Sequence, residues 1–238
     1  MPIPALHFHN LVKSYDKKLV LKGIELAVAQ GEFFGLVGMN GAGKTTLLKC
    51  MLDFCSFDQG EIHIFGCDHQ LTQSRKPLVF LPERFMPPYY LTGKDFLKYM
   101  LKLQAISYDQ AAAEQTLLDL DLDLSALSSP VRSYSKGMTQ KLGLAACFLA
   151  QKQLYVLDEP MSGLDPKARA LLRRRLQGLR ASGGTLFFSS HALADVEDIC
   201  DRMAILHEGE LRFVGTPKAC REQFVADTLE QAFMRCIE

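Results

Sequence analysis

Gly38-Met39-Asn40-Gly41-Ala42-Gly43-Lys44-Thr45 fits the pattern G-x-x-x-x-G-K-[ST]. The setting is the one this pattern needs: the apolar run Glu32 to Val37 precedes it, and a helical pattern with Leu47, Leu48, Met51 and Leu52 follows. Glycines let such a loop curl so that its backbone N–H groups face a phosphate chain, and the start of the following helix adds positive potential. Lys44 is then placed to reach the β- and γ-phosphates, Thr45 to hold Mg2+ and Thr46 to add a phosphate contact. The stretch predicts a nucleotide site on a strand-to-helix turn.

Further runs repeat that grammar. Leu154 to Leu157 leads into acids, Thr185 to Phe188 into Ser189, and both are apolar without alternation, as strands buried on both faces are. Between them Asp165-Pro166 reads as cap and first turn of a helix, Leu171, Leu172, Leu176 and Leu179 as its buried stripe, and Gly183-Gly184 as its end. Strand, helix, strand in this order predicts an α/β fold with a parallel sheet. From about Arg84 to Ala150 the strand signals vanish, while Asp95 to Gln104 and Asp109 to Leu120 have helical patterns, so a helical insertion is expected there.

Two acids close the run Leu154-Tyr155-Val156-Leu157-Asp158-Glu159, at the carboxyl edge where such sheets bind ligands. Neighbouring residues on a strand point to opposite sides, so the two can differ in role. Asp158 is positioned to support Mg2+, and Glu159 to accept a proton from an attacking water. The other reading of the acids is a helix cap before Pro160. At the next carboxyl edge, Ser189-Ser190-His191 offers an imidazole that could contact the γ-phosphate and hold that water in line.

Composition narrows the remaining classes. Of 238 residues, 48% are hydrophobic, enough for a substantial core, and 27 Lys+Arg balance 27 Asp+Glu. A net charge of +0 supplies no field to draw the chain onto nucleic acid or anionic lipid, so no nucleic-acid partner is expected. Seven scattered cysteines with no CxxC pair read as reduced thiols of a cytoplasmic protein. MPIPALHFHN has neither the charged nor the apolar region of a signal peptide, and the longest apolar stretch, Leu142 to Ala150, falls far short of the about 20 residues that span a bilayer. Any membrane role therefore requires another polypeptide. His63, Cys67 and His69 have loose metal-ligand spacing, but His63 sits in the alternating strand Glu61 to Phe65 and no fourth ligand is evident, so no metal is expected on that set.

Together with Tyr134-Ser135-Lys136-Gly137-Met138 before a helix, and Ser162-Gly163-Leu164-Asp165 just past the acids, these elements resemble the ABC ATPase family over about residues 5 to 217. The resemblance implies a P-loop NTPase core with a parallel sheet, an N-terminal antiparallel β portion and a helical subdomain. It implies one domain over residues 1–225, with core about 1–84 and 151–225 and helical subdomain about 85–150, followed by a short tail, 226–238. It further implies that ATP and Mg2+ are the cofactors, that Tyr15 stacks on adenine, and that Ser135 and Gly137 contact the γ-phosphate held by a second nucleotide-binding domain, identical or paralogous, in a head-to-tail dimer. The helix beginning near Met138 would point its positive end at that phosphate.

Two positions depart from the commonest pattern of the family: the signature LSGGQ reads YSKGM, and the glutamine expected after Phe80-Leu81-Pro82 is Glu83, which keeps an oxygen for Mg2+ or water but adds negative charge. These departures, with the tail Leu229-Glu230-Gln231-Ala232-Phe233, resemble the subgroup serving multidrug-type exporters with separate membrane subunits. The implied function is an ATPase that powers transport, export rather than import, through a separate integral-membrane permease, placing the chain at the inner face of the cell membrane. Soluble switch ATPases of the same family are the alternative, but their ribosome-acting kind resembles two cassettes in one chain, and the DNA-repair kind carries a long coiled-coil insertion for which the stretch from Lys44 to Asp158 has no room.

Phe85-Met86-Pro87-Pro88-Tyr89-Tyr90-Leu91 is unusually apolar and aromatic for a Pro-rich loop. It reads as a docking surface for the membrane subunit, or else as part of the helical insertion's own core.

Overall fold

The computed structural model describes residues 2–238, and Met1, the first residue of the expected domain, lies outside them. The chain opens with β1 (Leu6–Tyr15) and β2 (Lys18–Val28), then β3 (Phe33–Val37), α1 (Lys44–Met51), β4 (Gln59–Ile64), β5 (Cys67–Asp68) and β6 (Leu78–Leu81). Three helices follow, α2 (Gly93–Leu103), α3 (Gln110–Asp119) and α4 (Lys136–Leu149), and then β7 (Leu154–Asp158), α5 (Pro166–Ala181), β8 (Thr185–Ser190) and α6 (Leu193–Ile199). The last elements are β9 (Arg202–His207), β10 (Glu210–Gly215), α7 (Pro217–Gln223) and α8 (Leu229–Ile237).

The strands form two sheets. The first, in order β2-β1-β4-β5, is antiparallel throughout. One face is core and one is wet, so β1 alternates: Leu6 and Phe8 are buried while His7 and His9 face out. The second sheet runs β10-β9-β3-β8-β7-β6, and every pair in it is parallel except the edge pair β10–β9. Its strands β3, β7 and β8 are buried at every residue, which is why they read as unbroken apolar runs. This is the α/β architecture with a parallel sheet and an antiparallel N-terminal portion.

Adjacent residues on β3 divide the interior in two. Phe34 faces the antiparallel sheet and α1, packing with Phe187 at 5.9 Å between ring centroids, and Phe187 in turn meets Phe8 at 6.3 Å. Phe33 turns to the other face, into the core shared with α4, α5 and α6. Each fully buried side chain of this size contributes about 1.5–3 kcal/mol.

Helix starts follow the expected chemistry. Thr92 accepts from the Asp95 N–H to begin α2, Asp109 caps α3, Ser135 caps α4, and Asp165 accepts from the Ala168 N–H at 2.9 Å with Pro166 in the first turn of α5. The stripe on α5 is narrower than its pattern: Leu172 and Leu176 are buried, whereas Leu171 and Leu179 lie at its edges and stay partly exposed. Helices α2 and α3 both pack on α4, forming a helical layer between β6 and β7 in sequence. No helix among the described residues is long and apolar enough to cross a membrane.

Candidate nucleotide site

The loop from Gly38 to Gly43 leaves the carboxyl end of β3, the strand flanked by β8 and β9. Gly38 passes so near β9 that a Cβ there would collide with the Leu206 carbonyl oxygen. Gly43, with φ 114, is the N-cap of α1 and brings no side chain to it. The first N–H groups of α1 therefore start without a side-chain acceptor, the condition in which a helix N-terminus takes an anion. Lys44, 7% exposed, folds its Nζ back onto the Gly38 carbonyl at 2.5 Å, with the Met39 carbonyl at 3.4 Å. Burial pulls its pKa down, and the carboxylates of Glu159, Asp158 and Glu83 oppose that pull.

Asp158 ends β7 and Glu159 is the turn residue beyond it, with φ 51, a left-handed conformation seldom taken by Glu. Parallel register places Asp158 beside Ser189 of β8. The Ser189 hydroxyl donates to Asp158 Oδ1, while the Glu159 N–H donates to Ser189 Oγ at 3.1 Å and lies 3.3 Å from its carbonyl oxygen. His191 Nδ1 is 2.8 Å from Glu159 Oε2, with its imidazole largely exposed. Burial pushes both carboxyls above the usual carboxylate range, offset at Asp158 first by the Ser189 hydroxyl and at Glu159 first by His191.

These groups share one cleft of about 360 Å³, whose wall includes Met39, Asn40, Gly41, Gly43, Lys44, Thr45, Thr46, Glu83, Asp158, Glu159 and His191, with Val20 closing one side. Gly38 and Ala42 shape the loop from behind this wall. Tyr15 lies at the edge of this wall, its hydroxyl beside Thr46: the residue is 44% exposed, carries Lys13 Nζ 4.7 Å from its ring centroid, and its hydroxyl donates to Cys55 Sγ at 3.7 Å. Ser135 and Gly137 are elsewhere, at the start of α4. The Ser135 hydroxyl accepts from the Met138 N–H at 3.2 Å, a Cβ on Gly137 would lie 3.0 Å from the Gly163 carbonyl, and Lys136 Nζ is 3.3 Å from Ser162 Oγ. The YSKGM segment and the segment after the acids thus form one surface.

The residue that reading of the sequence passed over is Ser189. Its position beside His191 was visible, but its link to both acids depends on the pairing of β7 with β8, which no local pattern encodes. The aromatic loop is also divided. Phe85 turns inward, edge-on to Phe96 at 5.6 Å and against Gly143, whereas Met86, Tyr89 and Tyr90 are 86%, 68% and 70% exposed. Beside Phe85 opens a second cavity of about 410 Å³, lined by Leu52, Phe54, Phe80, Phe96, Met100 and Gly143 among others, with Asp53 and Arg75 at its polar side.

A phosphate-binding loop on a parallel sheet, with an ammonium, two carboxylates and an imidazole in the same cleft, defines a P-loop nucleotide-binding protein. Residues 21–162 match the ABC transporter family model. An uncharacterized ABC transporter ATP-binding protein of Synechocystis is 42% identical over 200 residues, covering 82% of this chain, and the chain spans only 56% of that relative's length. Nod factor export ATP-binding protein I of Burkholderia lata is 32% identical over 234 residues, 97% of this chain and 77% of the relative. A solved structure described as the ATP binding subunit of an ABC transporter superposes with a TM-score of 0.88 at 31% identity, covering 98% of this chain and 99% of its own. The chain belongs to the ABC transporter family and carries its ATP-binding domain.

Proposed function

We propose that this chain hydrolyses ATP in the cleft around Lys44 and, as one of a pair of such subunits, powers export through a separate membrane-spanning partner at the inner face of the membrane. The observation that carries this reading is the convergence of Lys44, Asp158, Glu159 and His191 on the uncapped start of α1.

The residues present fit both cofactors. Unsatisfied N–H donors at α1 suit phosphate oxygens, and the hard oxygen donors of Thr45, Glu83 and Asp158 on one wall suit Mg2+. When bound, Mg2+ neutralises charge on the β- and γ-phosphates.

In this proposal Lys44 leaves the Gly38 carbonyl for the β/γ-phosphates, and the loop amides from Asn40 to Thr45 cradle the remaining oxygens. Glu159 takes the proton of the attacking water, and its raised proton affinity makes it a better base than an ordinary carboxylate. His191, already paired with Glu159 Oε2, orients that water, and Ser189 holds Asp158 and the Glu159 backbone in place. Tyr15 stacks on the adenine. Ser135 and Gly137 supply a second donor set to the γ-phosphate of an opposing protomer, a reading supported by neither residue lining the cleft of its own chain.

Export is supported by the Burkholderia lata relative, whose name assigns it to Nod factor export. The partner's seat is the exposed Met86, Tyr89 and Tyr90 with the cavity beside Phe85, where aromatic side chains can fill as anchors do.

The test uses Glu159→Gln protein, which retains the γ-phosphate. Its mass by light scattering doubles with Mg-ATP and not with ADP, and a membrane-spanning protein co-purifies with the wild type from membranes. A monomer under both nucleotides refutes the paired arrangement.

A further inference from the structure

The outer face of the antiparallel sheet carries a side-chain cluster that the nucleotide cleft does not use. His7 and His9 stand two apart on β1 and so share that face. Glu25 reaches toward them from β2, with Oε1 3.6 Å from His7 Nε2 and Oε2 3.0 Å from His9 Nδ1. One donor atom from each of the three lies within 4.8 Å of the other two. His63 of β4 pairs with His7 of β1, their ring centroids 6.4 Å apart and their planes inclined by 28°. Three of the six histidines in the chain thus gather on one sheet face, which scattered surface residues do not do.

The backbone is shaped to hold the carboxylate there. The β1–β2 register slips between Phe8 and Leu11, and Asn10 in the slip has φ 45. Its N–H donates to Glu25 Oε2 at 3.0 Å, an outer hydrogen bond that fixes the carboxylate toward the imidazoles.

We propose that His7, His9 and Glu25 bind a divalent transition metal ion of the zinc class. Two imidazoles and one carboxylate suit Zn2+, Cu2+ or Ni2+, whereas Mg2+ prefers an all-oxygen shell like that of the nucleotide cleft. Around zinc the donors must close to about 3.3 Å, the edge of a tetrahedron with bonds of about 2.0–2.1 Å. Rotation of exposed side chains accomplishes that without moving the strands. Bound metal ties β1 to β2 in the sheet whose first strand ends at Tyr15.

Untagged protein, stripped with a chelator, is titrated with Zn2+ against a fluorescent zinc indicator. One Zn2+ per chain is expected, held against a large excess of Mg2+, and weakened at least about tenfold by His9→Ala and by Glu25→Ala. Both side chains are 60% exposed, so both variants stay folded without metal, Glu25→Ala giving up only the exposed hydrogen bond from the Asn10 N–H, and a loss of binding is then a loss of ligands. No zinc uptake by the wild type overturns the proposal. So does His9→Ala binding with wild-type affinity, or displacement of zinc by Mg2+.

Discussion

Ser189 of β8 donates its hydroxyl to Asp158 Oδ1 at the end of β7, and Ser189 Oγ in turn accepts the N–H of Glu159. One buried side chain therefore holds two neighbouring acids that face different tasks. Asp158 is 4% exposed, so its oxygen has little solvent to replace a lost hydroxyl. Ser189→Ala takes the hydroxyl donor from Asp158 Oδ1 and leaves the Glu159 N–H only the longer bond to the backbone carbonyl of residue 189, and an unmatched buried polar group costs about 1–3 kcal/mol. Denaturant melts of the nucleotide-free variant should show that loss, along with a lower ATPase rate as Glu159 drifts. A variant with wild-type stability and turnover removes Ser189 from the site.

Glu159→Gln should lower turnover by about 10²- to 10⁴-fold with ATP binding intact, the effect of losing a general base. The nucleotide-free protein should at the same time melt higher. Burial raises the proton affinity of Glu159, so the folded state binds its proton more tightly than the unfolded state does. Stability from this group is then full below the unfolded pKa and declines as pH rises through the folded one, leaving the charged carboxylate as a liability at neutral pH. Glutamine keeps the shape without the charge. The gain should vanish when both proteins are melted at acid pH, where wild-type Glu159 is protonated. A neutral-pH melting temperature below wild type would show that the His191 contact outweighs desolvation.

Tyr15 offers one ring face already covered by the Lys13 ammonium and a hydroxyl tied to Cys55. These contacts fix the ring before a base arrives, so little order need be gained on stacking. Tyr15→Ala should weaken ATP by about 1–3 kcal/mol, while Tyr15→Phe, which keeps the ring, stays close to wild type. Titration calorimetry separates the two, and equal affinity in all three proteins rules out stacking.

What could be read from the sequence was what is contiguous in it. The loop from Gly38 to Thr45, the acids after Leu157 and the Asp165-Pro166 helix start each carry their setting within a few residues, so fold class and family resemblance followed. What could not be read depends on pairing between distant strands. Ser189 meets Asp158 only through β7–β8 register, and His63 meets His7 only through β1–β4 register. Sequence spacing instead grouped His63 with Cys67 and His69, yet the His69 side chain is buried beside Phe57. The same limit applies to the Pro-rich loop, where composition cannot tell which aromatic turns in.

That loop gives the sharpest separation of docking from packing, because its residues divide between the two. Phe85 is half-buried against Phe96 and Gly143, so Phe85→Ala should lose about 2 kcal/mol, roughly half of what a fully buried Phe loses, and melt early. Tyr89 and Tyr90 touch each other edge-on at 5.6 Å and otherwise face solvent. Tyr89→Ala should therefore keep the wild-type melting temperature and the ATPase rate of the isolated chain. If the outer half of the loop is the partner's seat, the same variant should lose the co-purifying membrane protein, since a truncated aromatic anchor costs 2 kcal/mol or more, about 30-fold in affinity. Retention of the partner by a stable Tyr89→Ala, Tyr90→Ala double variant would move the seat away from this loop, leaving Phe85 as a packing residue alone.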